Sequence, residues 1–122
     1  MPNVIHFEIC VDDLGSAAAF YASVFDWDIE PVKEDSEYLS IGVREGVDRD
    51  ISGGLTVRVD EQNSTINTIQ VPSVDIYARK ITENGGKILA PKISIPGQGY
   101  VQYCHDLEGN TFGIMELDKS AQ

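Results

Sequence analysis

Cationic residues are scarce in this chain. Nine Lys and Arg stand against twenty Asp and Glu in 122 residues, a formal net charge of −11 at pH 7. Nucleic acid and anionic membrane surfaces are bound through clustered cations, so the composition argues against both as partners. Cysteine is nearly absent. Cys10 and Cys104 are too few for a disulfide framework, and they lack the CxxC spacing of a zinc site. No apolar run approaches the roughly 20 residues that a membrane span needs. The opening MPNVIHFE has neither a basic flank nor a long apolar stretch, so it does not read as a signal peptide. The expected compartment is the cytoplasm.

What is present is an ordinary globular balance, 42% hydrophobic and 24% charged. That balance and the length fit a single domain over residues 1–122. The charge is unevenly spread. Residues 1–61 hold fourteen acids and four bases, a net of −10, whereas residues 62–122 carry a net of −1. The first half can create a negative field that attracts cations. Solubility is the plainer explanation for the same charge.

The hydrophobic pattern repeats once. VIHFEICV (4–11) reads as a strand, with Ile5, Phe7, Ile9 and Val11 on one face and His6, Glu8 and Cys10 on the other. Asp12 or Asp13 can cap a helix over 14–25, whose stripe is Leu14, Ala17, Ala18, Tyr21, Val24 and Phe25. Strands are expected at 27–31, 37–43 and 53–59, with a polar loop, REGVDRDIS, before the last. After the linker DEQNST the order recurs. INTIQV (66–71) is a strand, and Ser73 caps a helix with Val74, Tyr77, Ala78 and Ile81 on one face. Asn84-Gly85-Gly86 stops that helix. Strands at 87–95, 100–105 and 111–116 follow. A shift of 60 residues aligns Ile9 with Ile69, Val11 with Val71 and Ala18 with Ala78. The expected class is therefore α+β, with two βαβββ modules (1–61 and 62–122). Their curved mixed sheets would surround a concave cavity, with the helices outside.

HFEICVDDLGSAAAFYASVFDW, NGGKI and HDLEGNTFGIME, in this order, resemble the vicinal oxygen chelate superfamily of glyoxalase I, extradiol dioxygenases and the fosfomycin- and bleomycin-resistance proteins. Leu107 stands where Pro is common in that pattern. The resemblance implies four positions for metal ligands. His6 matches the first. The second falls among Gly53, Gly54, Leu55 and Thr56, the third on Ile66 and the fourth on Gly113, and none of these offers a His or a carboxylate. Glu116 lies three residues beyond Gly113 and so on the opposite face. One ligand in four does not make a catalytic metal site. Only an improvised set of His6, Glu8 and His105 could hold a divalent metal, so no cofactor is expected.

The residues themselves leave several roles open. His6 is a general base or a polar residue hydrogen-bonded to Glu8 or water. Glu8 balances a ligand cation or an internal base. Cys10 is a nucleophile, a ligand contact or a small buried hydrophobe. By alternation Thr68, Gln70, Thr111, Gly113 and Met115 line the cavity face of the second module. Arg58 is the one cation expected on the cavity strands. Tyr21 and Trp27 read as core, and the acidic run 26–37 as solvated surface. Taken with the resemblance, these residues imply a small-molecule-binding homodimer with a degenerate metal site, taking a neutral or cationic ligand. The alternative is a glyoxalase-like lyase, isomerase or dioxygenase-type enzyme using His6 and Glu8.

Overall fold

The computed structural model describes residues 2–32, 37–42 and 51–122. Lys33 and the rest of the 33–36 stretch, the end of the strand expected over 37–43 at Val43, and residues 44–50 of the REGVDRDIS loop lie outside the described residues. Two compact units result, His6–Ile66 and Asn67–Gln122, the latter with the residues up to Ile5.

The first unit carries β1 (Asn3–Val11), α1 (Leu14–Phe25), β2 (Asp28–Pro31), β3 (Tyr38–Gly42) and β4 (Ser52–Val57). Its strands lie in the order β2-β3-β4-β1. β2/β3 and β3/β4 are antiparallel, while β4/β1 is parallel. The second unit carries β5 (Thr65–Gln70), α2 (Val74–Glu83), β6 (Lys87–Ile88), β7 (Ile93–Ile95), β8 (Gly99–His105) and β9 (Thr111–Leu117). β5/β9 is parallel, β9/β8 is antiparallel, and β6 and β7 both pair antiparallel with β8. In each unit the first strand thus lies parallel beside the last, and a helix crosses after the first. This is an α+β fold built from two copies of one plan.

Local chemistry explains the helix ends. The Asp13 carboxylate accepts from Ser16 N, and the Ser73 hydroxyl from Ile76 N, each satisfying a donor that the first turn leaves open. α2 stops at Asn84-Gly85-Gly86, where Gly85 takes φ 94° and Gly86 N returns to Ile81 O. The sequence stripe of α2 packs as expected. Val74 is fully buried beside Val71, Cys104 and Ile114, with Tyr77, Ala78 and Ile81 against them. Glu116 faces this side too, and its carboxylate accepts from Val74 N at 3.0 Å. It therefore completes the N-terminus of α2, where negative charge is favourable.

Three expectations need correction. The strand expected over 87–95 is two short strands. Leu89 to Lys92 interrupts them, because Pro91 has no N–H to give to a ladder. The α1 stripe is not buried as a whole, since Val24 and Phe25 remain mostly exposed. The last turn of α1 instead closes on aromatic neighbours. Asp26 adopts the left-handed conformation (φ 62°) and turns the chain so that Trp27 stacks on Tyr21 at 5.5 Å and 7°. Tyr21 and Trp27 are accordingly half-buried framework residues rather than deep core. Finally, β4 begins at Ser52 and ends at Val57, so Val59 is solvent-exposed and Ser52 joins the sheet.

Candidate functional site

β1 and β4 run side by side with His6 opposite Ser52, Glu8 opposite Gly54 and Cys10 opposite Thr56. In a parallel pair, opposed residues point to the same face. His6, Glu8 and Cys10 thus share one face of the first unit with Ser52, while Phe7 and Leu55 belong to the other. β3 brings a further group to this face. The Tyr38 ring leans along the strand until its hydroxyl lies over Gly54. A Cβ on Gly54 would overlap the Tyr38 hydroxyl and the ring carbon that bears it. On the reverse face Gly53 makes room in the same way for the Phe7 ring. The glycine doublet therefore serves two close approaches, one on each side of β4.

These placements fix His6 from both ends. Its Nδ1 lies 2.5 Å from Ser52 Oγ, and its Nε2 lies 2.6 Å from Tyr38 Oη. The His6 and Tyr38 rings are 6.3 Å apart and inclined by 19°. A neutral imidazole has one N–H and one lone pair. One hydroxyl therefore donates to the ring and the other accepts from it. Glu8 is only 8% exposed. Burial pushes the Tyr38 phenol well above its ordinary pKa, and the neighbouring Glu8 carboxylate pushes it in the same direction, so Tyr38 stays un-ionised at any physiological pH. The Cys10 thiol is also raised, by burial first and by Glu8 second, with Arg58 opposing. Cys104 is buried in the second unit and pushed up to about 11. Neither cysteine is a ready thiolate.

The remaining sequence-derived positions fall on the second unit. Thr68 lies opposite Gly113, and Gln70 opposite Met115. Thr68, Gln70, Thr111, Gly113 and Met115 occupy the sheet face away from α2, by the same alternation that turns Ile69, Ile114 and Glu116 toward it. Thr68 is 3% exposed, and a Cβ on Gly113 would meet Thr68 Oγ1 and the Tyr103 ring. His105 stands at the end of β8, opposite Thr111. Arg58 is committed to the β1–α1 connection and the following turn, with Nε 3.1 Å from Asp12 Oδ1 and Nη1 2.5 Å from Asn63 O.

Sequence reasoning missed Tyr38 and Ser52. Two signals pointed to them. The doublet Gly53-Gly54 inside a strand marks a close approach by neighbouring groups. The alternation of EYLSIGV also places Tyr38, Ser40 and Gly42 on one face.

A model of the Glyoxalase/Bleomycin resistance protein/Dioxygenase superfamily matches residues 3–114. The chain belongs to this superfamily. Solved structures agree on the fold. A hypothetical protein of Bacillus halodurans C-125 is 14% identical with a TM-score of 0.67, covering 99% of this chain and 98% of its own. Methylmalonyl-CoA epimerase from Mycobacterium tuberculosis is 16% identical with a TM-score of 0.65, covering 94% and 87%. A superfamily member from Vibrio splendidus 12B01 is 12% identical with a TM-score of 0.67, covering 95% and 99%. At these identities the likeness is one of fold. No curated protein matches this chain by sequence.

The residues present do not fit the metal that the superfamily resemblance implies. His6 has both ring nitrogens engaged by hydroxyl groups. Gly53, Gly54, Ile66 and Gly113 have no side-chain donor atom for a metal. Among the described residues no group of three or more His, Cys, Asp or Glu is placed to hold a metal ion. Also among them, no helix is long and apolar enough to cross a membrane.

Proposed function

We propose that this superfamily member is a small-molecule-binding protein that works without a metal and prefers neutral or cationic, partly aromatic ligands. The observation that carries this reading is Glu8. It is a carboxylate, 8% exposed, on the face that bears His6. A carboxylate shielded from bulk water attracts a cation more strongly than a fully solvated one. We propose Thr68, Gln70, Thr111, Gly113 and Met115 separately, as a polar and adaptable ligand surface of the second unit.

A matched thermal-shift series tests it, with aromatic ammonium compounds against aromatic carboxylates. Ammonium compounds should raise Tm, with stabilisation of about 2.7 kcal/mol at one hundred times Kd. Glu8→Gln should remove most of that shift, and the shift should survive added salt because the contact is direct. Stabilisation by the carboxylates, together with an unchanged ammonium response in Glu8→Gln, would overturn the reading.

A second reading, a metal-free lyase or isomerase, is favoured by the placement of a hydrogen-bonded imidazole and a buried carboxylate on one face, two residues apart on β1. Turnover of a ligand found in the thermal screen, lost in His6→Ala, would move the conclusion to it.

We further propose a homodimer, whose contact surface includes the exposed Phe20, Val24 and Phe25 of α1. Light scattering at micromolar concentration should give twice the chain mass, and Phe20→Glu should shift it toward the monomer. A wild-type monomer would count against this.

A further inference from the structure

We propose that Tyr38 and Ser52, with Gly54 making room for the phenol, close His6 to metal ions and convert the superfamily's first ligand position into a fixed hydrogen-bonding group. The inference deepens the metal-free binding reading by naming the residues that impose it.

The argument starts from valence. A metal-bound imidazole gives one nitrogen lone pair to the metal and usually donates the other ring N–H to a second group. In this chain Nε2 is 2.6 Å from Tyr38 Oη, and Nδ1 is 2.5 Å from Ser52 Oγ. At those distances the two oxygens lie in the directions in which a metal would have to approach. A metal–nitrogen bond of about 2.0–2.1 Å at either atom requires that the hydroxyl there leave. Ser52 is held by the pairing of β4 with β1, directly opposite His6. Tyr38 is held by β3 and by the space over Gly54.

Gly54 is the less obvious partner. It stands opposite Glu8 in the register, and any side chain there would drive the Tyr38 hydroxyl off its position. Tyr38, Gly54 and Ser52 therefore act as one device. A side chain at 54 undoes the Tyr38 contact even when Tyr38 itself is kept.

The consequence for ligands follows. A polar ligand reaching this face meets an imidazole whose orientation is fixed by two oxygens and a neutral phenol beside it. It does not meet a Lewis acid. Compounds that depend on metal chelation through two neighbouring oxygens gain nothing here.

Cobalt(II) is the probe, and the ring-proton NMR signals of the two histidines are the readout. In the wild-type protein cobalt(II) should broaden His105, which carries no ring hydrogen bond among the described residues, and leave His6 sharp. Tyr38→Ala opens Nε2 and should make His6 broaden at cobalt concentrations about tenfold below any that broaden it in the wild type, the factor expected for losing one net hydrogen bond. Ser52→Ala opens Nδ1 and provides the same test if Tyr38→Ala folds poorly. Gly54→Ala, which retains both hydroxyls, should behave like Tyr38→Ala. Wild-type His6 signals that broaden in parallel with His105 would overturn the proposal. So would His6 signals that stay sharp in the folded Tyr38→Ala and Ser52→Ala proteins. A Gly54→Ala protein with sharp His6 signals would remove Gly54 from the device. The charge preference of the ligand plays no part in these signals, so a failed ammonium screen with protected His6 rejects the ligand reading and leaves this one standing.

Discussion

Leu55→Ala should lower the stability of the folded chain by about 3–4 kcal/mol, within the range for truncating a buried leucine. Leu55 is fully buried in the first unit. It stands opposite Ile9 on β1 and Leu39 on β3, so it ties β4 to both neighbours on the face away from His6. Truncation removes apolar contact on both sides, and paired strands cannot move inward to refill the space without breaking register. Urea unfolding followed by circular dichroism gives the value directly. Val59→Ala is the control. Val59 is 96% exposed, and its loss should change stability by no more than about 0.5 kcal/mol. Equal effects from the two substitutions would show that Leu55 is not the centre of this unit. The outcome bears on the site as well, because β4 also carries Ser52 and Gly54.

Gly99→Ala should be comparably harmful for a different reason. Gly99 has φ 151°, a conformation that residues with a Cβ rarely adopt. A Cβ there would also collide with the backbone carbonyl of Glu116, an obstacle that cannot rotate away. Strain of this kind costs about 1–3 kcal/mol, and the overlap adds a similar amount. Tm should therefore fall by about 10 °C or more for a chain of this size. The damage should extend to α2, since displacing β9 at Glu116 pulls its carboxylate from Val74 N. Gly97→Ala is the comparison. Gly97 also has positive φ, at 75°, but a Cβ there meets nothing. It should cost only about 1 kcal/mol. Equal Tm values for the two variants would mean that the Glu116 carbonyl yields and the steric argument fails.

Much of the architecture was legible before any coordinate. The αβ register in each half, a cap at Asp12 or Asp13, of which the structure uses Asp13, the cap at Ser73 and the stop at Asn84-Gly85-Gly86 are local features. Each depends on a side chain reaching a backbone group three or four residues away. Period-two alternation likewise assigned His6, Glu8 and Cys10 to one face of β1, because a strand offers only two faces. The same rule turned Glu116 away from Gly113. Why Glu116 is a carboxylate emerged only when Val74 N was found beside it, 42 residues away in sequence.

The limits of the sequence reading have physical causes. The spacing in α1 predicts a wholly buried stripe, yet periodicity records only which residues share a face, not how much of that face is covered. Val24 and Phe25 reach past that cover, and Phe25 and Tyr21 turn to Trp27 instead. The split of β6 from β7 depended on weighing one proline against a run of β-formers.

The sequence by itself determined the α+β class, the strand–helix opening of each half and the acidity of the first half. Those properties reside in residue types and in spacings of a few residues. Tertiary structure alone decided what His6 is. Ser52 and Tyr38 lie 46 and 32 residues from it. They reach its two nitrogens only because β1 pairs parallel with β4, β3 pairs antiparallel with β4, and Gly54 leaves the space between. Such a contact has no local signature, because strand pairing across the sheet creates it and no short stretch of chain contains it.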